Sequence, residues 1–201
     1  MAALCALFKT TAALALPVDI GSISELNGSA RVIRGDPVPA GLQLPIQQYD
    51  DVRTSNGRLA ITFLDDSLVR LTEHSSLVVD EYVFDANPNK TKLALKFASG
   101  TAGFVTGKLG AINRRNISLK TPSADIAIRG TSFSATVDEL GRSLIILLPK
   151  ADGSSSGEIV VSTMAGEVVL SRPFESTTVD VYESAPARPV VVDLTLDLID
   201  N

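Results

Sequence analysis

The chain has 201 residues, 45% apolar, 20% charged and 5% aromatic, with one Cys, one His, no Trp and a formal net charge of −5. That apolar share excludes a disordered chain, the length allows a real core, and no run of about eighteen apolar residues is present to cross a membrane as a helix. One Cys and one His exclude an internal disulfide, a Cys-based zinc site and a multi-histidine metal centre, and the acidity argues against DNA or RNA as partner.

Residues 1–19 are read as an N-terminal extension. Residues 2–15 carry the most credible helical periodicity of the chain. Ala13 and Ala15 are spaced like a signal-peptidase site, but Lys9 sits inside the apolar segment where a signal peptide has none. The plainer expectation is an ordered extension that docks Leu14, Leu16 and Val18 on the domain.

From residue 20 the apolar period is two nearly everywhere. Leu59, Ile61 and Phe63 alternate with Ala60 and Thr62, and Leu93, Leu95 and Phe97 with Ala94 and Lys96. Successive side chains of a strand point to opposite faces, so each set marks one buried face. Runs apolar on both sides, Leu77 to Val79, Leu144 to Leu148, Ile159 to Val161 and Val168 to Leu170, suit strands covered on both faces. Asn56-Gly57 reads as a hairpin turn. Asp65-Asp66-Ser67, Asn87 to Lys90 and Asp138 to Gly141 read as further turns. Ala102 to Leu109 carries a faint helical period, but its glycines make a stable helix a poor expectation. The sum is an all-β fold, an antiparallel sandwich or roll of many short strands. A main domain over 20–150 is followed by a flexible Gly/Ser linker at 151–157. Further strands are expected near 158–163, 167–171, 177–182 and 190–199, the last alternating through Val192, Leu194, Leu196 and Leu198.

Motifs for catalysis fail on their chemistry. Gly153 to Gly157 matches G-x-S-x-G, but a strand follows it and the one His, His74, lies upstream, so it reads as a loop. Gly103 to Lys108 has three residues between its glycines where a phosphate loop has four, and Leu109 where it has Ser or Thr. The carboxylate pairs Asp50-Asp51, Asp65-Asp66, Asp80-Glu81 and Asp138-Glu139 read as turn formers before acid–base pairs. Asp65, Asp66 and Ser67 are the best candidates for an ion site, with calcium as the cation weighed. No metal, cofactor or catalytic residue is assigned. His74 reads as a structural or surface histidine. Lys108, Arg114, Arg115 and Lys120 form a small basic cluster, read as a solvated loop. Asn27, Asn89 and Asn116 begin glycosylation sequons.

Thr121-Pro122-Ser123-Ala124 followed by Ile126, Ile128, Arg129, Gly130, Thr131 and Phe133 is harder to read as generic. Pro122 should open a strand or sit on an edge. Ile126 and Ile128 share a face. Gly130 breaks the strand and resets its phase so that Phe133 packs inward. Arg129 is expected in a buried or semi-buried ion pair with a turn carboxylate, where loss of its side chain would cost about 2–4 kcal/mol.

These residues resemble the FecR domain, named for the periplasmic part of iron-citrate signalling regulators. Its pattern T-P-x-A…[VI]-R-G-T-x-F is carried by Thr121, Pro122, Ala124, Ile128, Arg129, Gly130, Thr131 and Phe133. Asp51-Val52-Arg53-Thr54 with Gly57, then Phe63 to Ser67, resembles its D-x-V-x-T…F-x-D-G-S stretch, with Asp66 in place of the usual Gly. Gly100 matches a later glycine. Pro149-Lys150 stands where the family commonly has Glu-Gly. The likeness covers about residues 20–148. The regulators' anti-sigma segment, membrane helix and receptor-docking domain find no counterpart here, so sigma-factor control is not carried over. The chain is also similar to stand-alone FecR-like proteins of tailed marine phages.

The resemblance implies a non-enzymatic β module that binds a protein, or a glycan, or itself, outside the cytoplasm, in the periplasm or on the cell surface. Edge strands would supply backbone pairing and loops specificity. A virion-associated structural protein is the alternative, and a carboxylate-based hydrolase the least favoured. No nucleic acid partner is expected.

Overall fold

The computed structural model describes residues 18–85, 87, 90–112 and 116–193. The periodic segment 2–15, Arg114, Arg115, the Asn89 sequon and most of the strand expected over 190–199 lie outside the described residues. Val18 is 71% exposed, so it does not dock on the domain as expected.

The described strands join one sheet. The long β1 (Asp19–Arg34) runs antiparallel to β4 (Asp51–Phe63), and the short β2 (Asp36–Pro39) and β3 (Pro45–Gln47) line its other side. Across β4, β5 (Leu68–Leu71) and β6 (Ser76–Val83) pair in turn with β7 (Lys92–Val105). Beyond β7 the sheet forks. β8 (Ile117–Lys120) takes the first half of β7, and an arm continues through β9 (Asp125–Arg129) and β12 (Glu158–Thr163) to β13 (Gly166–Leu170). β10 (Ser132–Val137) takes the second half, and another arm runs through β11 (Ser143–Leu148) and β14 (Glu175–Val179) to β15 (Val190–Val191). The residues after Gly157 therefore extend both arms of the same sheet.

One pairing departs from the antiparallel rule. β8 lies parallel to Leu93–Lys96 of β7. Parallel neighbours need a crossover, which the chain makes through the second half of β7 and the short helix α1 (Lys108–Ile112). The faint helical period at 102–109 thus falls mostly on strand, and the helix starts only at Lys108, with Gly110 inside it.

Alternation then builds the core. Ile23, Val52, Ile61, Phe63, Leu77, Phe97, Leu119, Ile126, Phe133, Ile145 and Val161 are fully buried and belong to one cluster that spans β1 to β14. One continuous core lined by one connected sheet is a roll. Phe104 stacks on Phe133 with centroids 4.7 Å apart, and Phe63 stacks on Tyr82 at 5.5 Å.

Asn56-Gly57 is not a hairpin turn. It lies inside β4, where Gly57 sits opposite Gly28 beside a register shift in β1. A Cβ on Gly57 would lie 2.6 Å from Asn27 O, and one on Gly28 would lie 2.2 Å from Asn56 O. Gly28 also has φ +81°. The dipeptide marks a close backbone crossing, which looks in sequence like a turn because both need glycine.

Candidate functional site

The Thr121 to Phe133 stretch turns a corner between the two arms. Thr121 to Ala124 is the turn joining β8 to β9, closed by Thr121 N–H to Ala124 O at 2.9 Å. Pro122 therefore sits in a turn, at the position that wants φ near −65°, and does not open a strand. The Thr121 hydroxyl accepts from Ala124 N–H at 3.0 Å and from Ser143 Oγ at 2.8 Å, and Ser123 and Ser143 share a bond of 2.7 Å. Ile126 and Ile128 face the core. Gly130 has φ +65°, which ends β9 and re-aims the chain so that Phe133 is wholly buried. Buried Thr131 bonds Ser156 Oγ at 2.5 Å, and Ser156 in turn donates to Leu148 O at 2.5 Å and accepts from Ser132 N–H at 3.2 Å. The 151–157 stretch, expected as a flexible linker, is thus tied to the motif through Ser156 and bridged at Pro149–Ser155.

Arg129 differs from expectation. It pairs with Glu158, its cross-strand neighbour on β12 and not a turn carboxylate, and the two side chains are 47% and 37% exposed. β9 turns this position outward because Ile128 on one side of it must face in. An exposed pair contributes little. Arg129→Ala should lower stability by less than about 1 kcal/mol in chemical denaturation; a loss above about 2 kcal/mol would show a buried pair after all.

Asp65 is fully buried, and its neighbours explain why. Its carboxylate accepts from Ser67 N–H at 3.3 Å, Ser67 Oγ at 2.6 Å, Tyr82 Oη at 3.2 Å and Leu109 N–H at 3.2 Å. Its backbone also binds, with N–H donating to Tyr82 Oη and O accepting from Lys108 N–H. The residue clamps the β4–β5 turn, β6 and the start of α1 together. Burial first, then the Asp65 charge, pushes the Tyr82 hydroxyl well above its usual range. Asp66 has φ +64°, the conformation that suits the glycine of the D-G-S pattern, and pairs in solvent with Lys108 at 2.7 Å. Among the described residues no three His, Cys, Asp or Glu side chains are placed to hold a metal. The ion site expected at Asp65, Asp66 and Ser67 is filled by protein donors.

The other carboxylates are similarly engaged. Buried Asp50 takes both Nε and Nη2 of Arg34, at 2.7 and 2.6 Å, and Gln47 N–H at 2.8 Å. The bond to Asp50 raises the Arg34 guanidinium further above its usual value. Asp80 pairs with Lys96, Glu81 with Lys92 and Asp138 with Arg142. Lys120 pairs with Asp125, so two members of the expected basic cluster, Lys108 and Lys120, are matched by acids. Glu175, unremarked in the sequence, is buried. Burial pushes its carboxyl up, but bonds from Arg172 and from the Ser171 and Arg172 amides outweigh this and the net shift is downward. Its i,i+3 spacing to Arg172 was a usable signal; the Arg34–Asp50 and Thr131–Ser156 pairs leave no local pattern.

The sheet edges are unequal. β2 carries Pro37 and Pro39, β3 begins with Pro45 and β15 follows Pro189. Proline removes the N–H that an incoming strand would use. Among the described residues β13 pairs only with β12, and it has neither Pro nor Lys. Its outer face shows Glu167 and Val169; Met164, in the turn before it, is exposed and its N–H donates to Tyr182 O next to exposed Val181. Glu167 makes no ion pair among the described residues.

Two crystal structures of a candidate anti-sigma factor from Parabacteroides distasonis ATCC 8503, at 1.65 and 2.50 Å resolution, share the fold, each with TM-score 0.52 and 15% identity. The match covers 71% of this chain and 60% of that protein, so this chain spans less than two thirds of its length. No curated protein matches the chain. The Asp65 clamp, the Thr121 turn and the Arg129-Gly130-Thr131 kink all fall within residues 50–169, which match the FecR protein family; that stretch is more than half of the chain, and the protein belongs to the FecR family.

Proposed function

We propose that the chain is a non-enzymatic FecR binding module that acts outside the cytoplasm and captures an extended segment of a protein partner on the free edge of β13. The unblocked edge is the observation that carries this reading. The edges of β2 and β3 are guarded by prolines within them and β15 is two residues long, while β13 offers backbone groups beside the exposed side chains of Glu167 and Val169. Strand addition draws affinity from backbone bonds and selectivity from alternate side chains. The partner segment would set an apolar residue against Val169 and a Lys or Arg against Glu167. Family membership supports a place outside the cytoplasm, and the neighbour's description as a candidate anti-sigma factor suits a module that works through protein contacts. The buried carboxylates support a non-enzymatic role, because Asp50, Asp65 and Glu175 are each held by structural hydrogen bonds.

A photo-crosslinking residue at Val169, with a second protein carrying it at Leu140 as control, tests the reading in the native cell. A discrete protein adduct from position 169 and none from 140 is expected. Equal labelling at both, or none at 169, would remove β13 as the docking edge.

A further inference from the structure

We propose that the outer face of β1, β4, β6 and β7 carries a binding site for an anionic sugar, centred on Arg31 and Arg53. This site is separate from the β13 edge and does not depend on it.

Register brings the two arginines together. Arg31 lies directly opposite Arg53 across the β1–β4 ladder. Like charges in that position destabilise a sheet. Slippage cannot relieve them, because the next pair, Val32 and Val52, is locked in the core and a one-residue shift would turn it out. Arg53 is bound by Asp51 through Nε at 3.0 Å and Nη2 at 2.6 Å. Arg31 has no ion pair among the described residues. A positive charge is thus left uncompensated at this point of a protein whose net charge is −5.

The same row continues in register from Arg53 to Ser76 and from Ser76 to Ser99. His74, from the loop before β6, overhangs it. The loop is held in place: His74 N–H donates to Ser55 O at 3.1 Å, His74 O accepts from Ser99 Oγ at 3.4 Å, and the backbone of His74 has φ +55°. Histidine, with Asn and Asp, takes a positive φ more readily than most residues, so the loop holds His74 there at little cost. These residues line a surface depression of about 410 Å³, a size that takes a small ligand.

The lining selects the chemistry. Guanidinium groups bind carboxylate or phosphate through paired donors. Ser55, Ser76 and Ser99 add hydroxyls; Ser76 donates to Asp51 Oδ1 and Ser99 to His74 O, which leaves their oxygens to accept from the hydroxyls of a sugar ring. Among the described residues no Phe, Tyr, Trp or large aliphatic side chain lines the depression, which disfavours an apolar ligand. Sugar phosphates and uronic acids share this chemistry.

Titration calorimetry on the full chain with glucose 6-phosphate, glucuronate, glucose and inorganic phosphate tests the site. At least one of the two anionic sugars should bind ten-fold or more tighter than both glucose and inorganic phosphate, and the stronger of them names the anionic group. Arg31→Gln should weaken that binding at least ten-fold, and Ser99→Ala should weaken it while leaving any phosphate binding unchanged. Arg31→Glu should abolish binding and raise the melting temperature, since it turns a repulsive pair into an attractive one. Failure of both anionic sugars to bind at about 10 mM, binding indifferent to Arg31→Gln, or phosphate binding as tightly as glucose 6-phosphate would each overturn the proposal.

Discussion

Asp65→Ala is expected to lower the unfolding free energy by about 3–5 kcal/mol, from the buried donors it would strand. The Ser67 amide and hydroxyl, the Tyr82 hydroxyl and the Leu109 amide all end on this one carboxylate. Water cannot replace it, because Asp65 and Ser67 lie inside the fold. Asp65→Asn keeps one acceptor oxygen and should lose less, about 1–3 kcal/mol. Asp66→Asn, one residue along in solvent, should change stability by no more than about 0.5 kcal/mol, since Asn also tolerates a positive φ. Urea denaturation of the three variants measures the contrast. Equal losses at 65 and 66 would show that the clamp does not hold the β4–β5 turn to α1.

Phe133→Ala should be as severe, about 3–5 kcal/mol, through lost burial and an unfilled cavity. Phe133 is wholly inaccessible and stacks on Phe104, which lies edge-on to Phe97. Truncation removes the ring stacked on Phe104, at the point where the sheet forks. Leu140→Ala offers the comparison, because Leu140 is 77% exposed in the β10–β11 turn and should be nearly silent. Thermal melts of the pair give the answer; a small effect at Phe133 would mean that the Gly130 kink does not direct it into the core.

Strand content was legible because burial is decided residue by residue. Leu59, Ile61 and Phe63, or Leu93, Leu95 and Phe97, alternate in sequence and are all buried in the roll. The FecR pattern was legible because its residues answer to local backbone demands, Gly130 at a positive φ and Phe133 inward, although Pro122 lies in a turn and not at a strand's start. Long-range geometry was not. Glycine in Asn56-Gly57 would serve a turn by its positive φ and serves this strand crossing by its missing Cβ, and only the register with β1 tells the two apart. The exposure of Arg129 depends on which strand lies beside it, and β12 arrives 29 residues later in the chain. The Asp65 clamp needs α1, a helix of 5 residues with no periodicity to read. The Arg31–Arg53 juxtaposition exists only once β1 and β4 are paired.

The roll holds its buried carboxylates Asp50, Asp65 and Glu175 in structural hydrogen bonds. β13 is the docking strand proposed above, and its edge, unlike those of β2 and β3, carries no proline. Amide hydrogen exchange over Gly166–Leu170, measured with and without the protein captured at Val169, tests that most directly. Slowed exchange within β13 on binding, with β2 unchanged, is the predicted result. Unchanged exchange in β13, with the partner bound, would contradict strand addition at this edge.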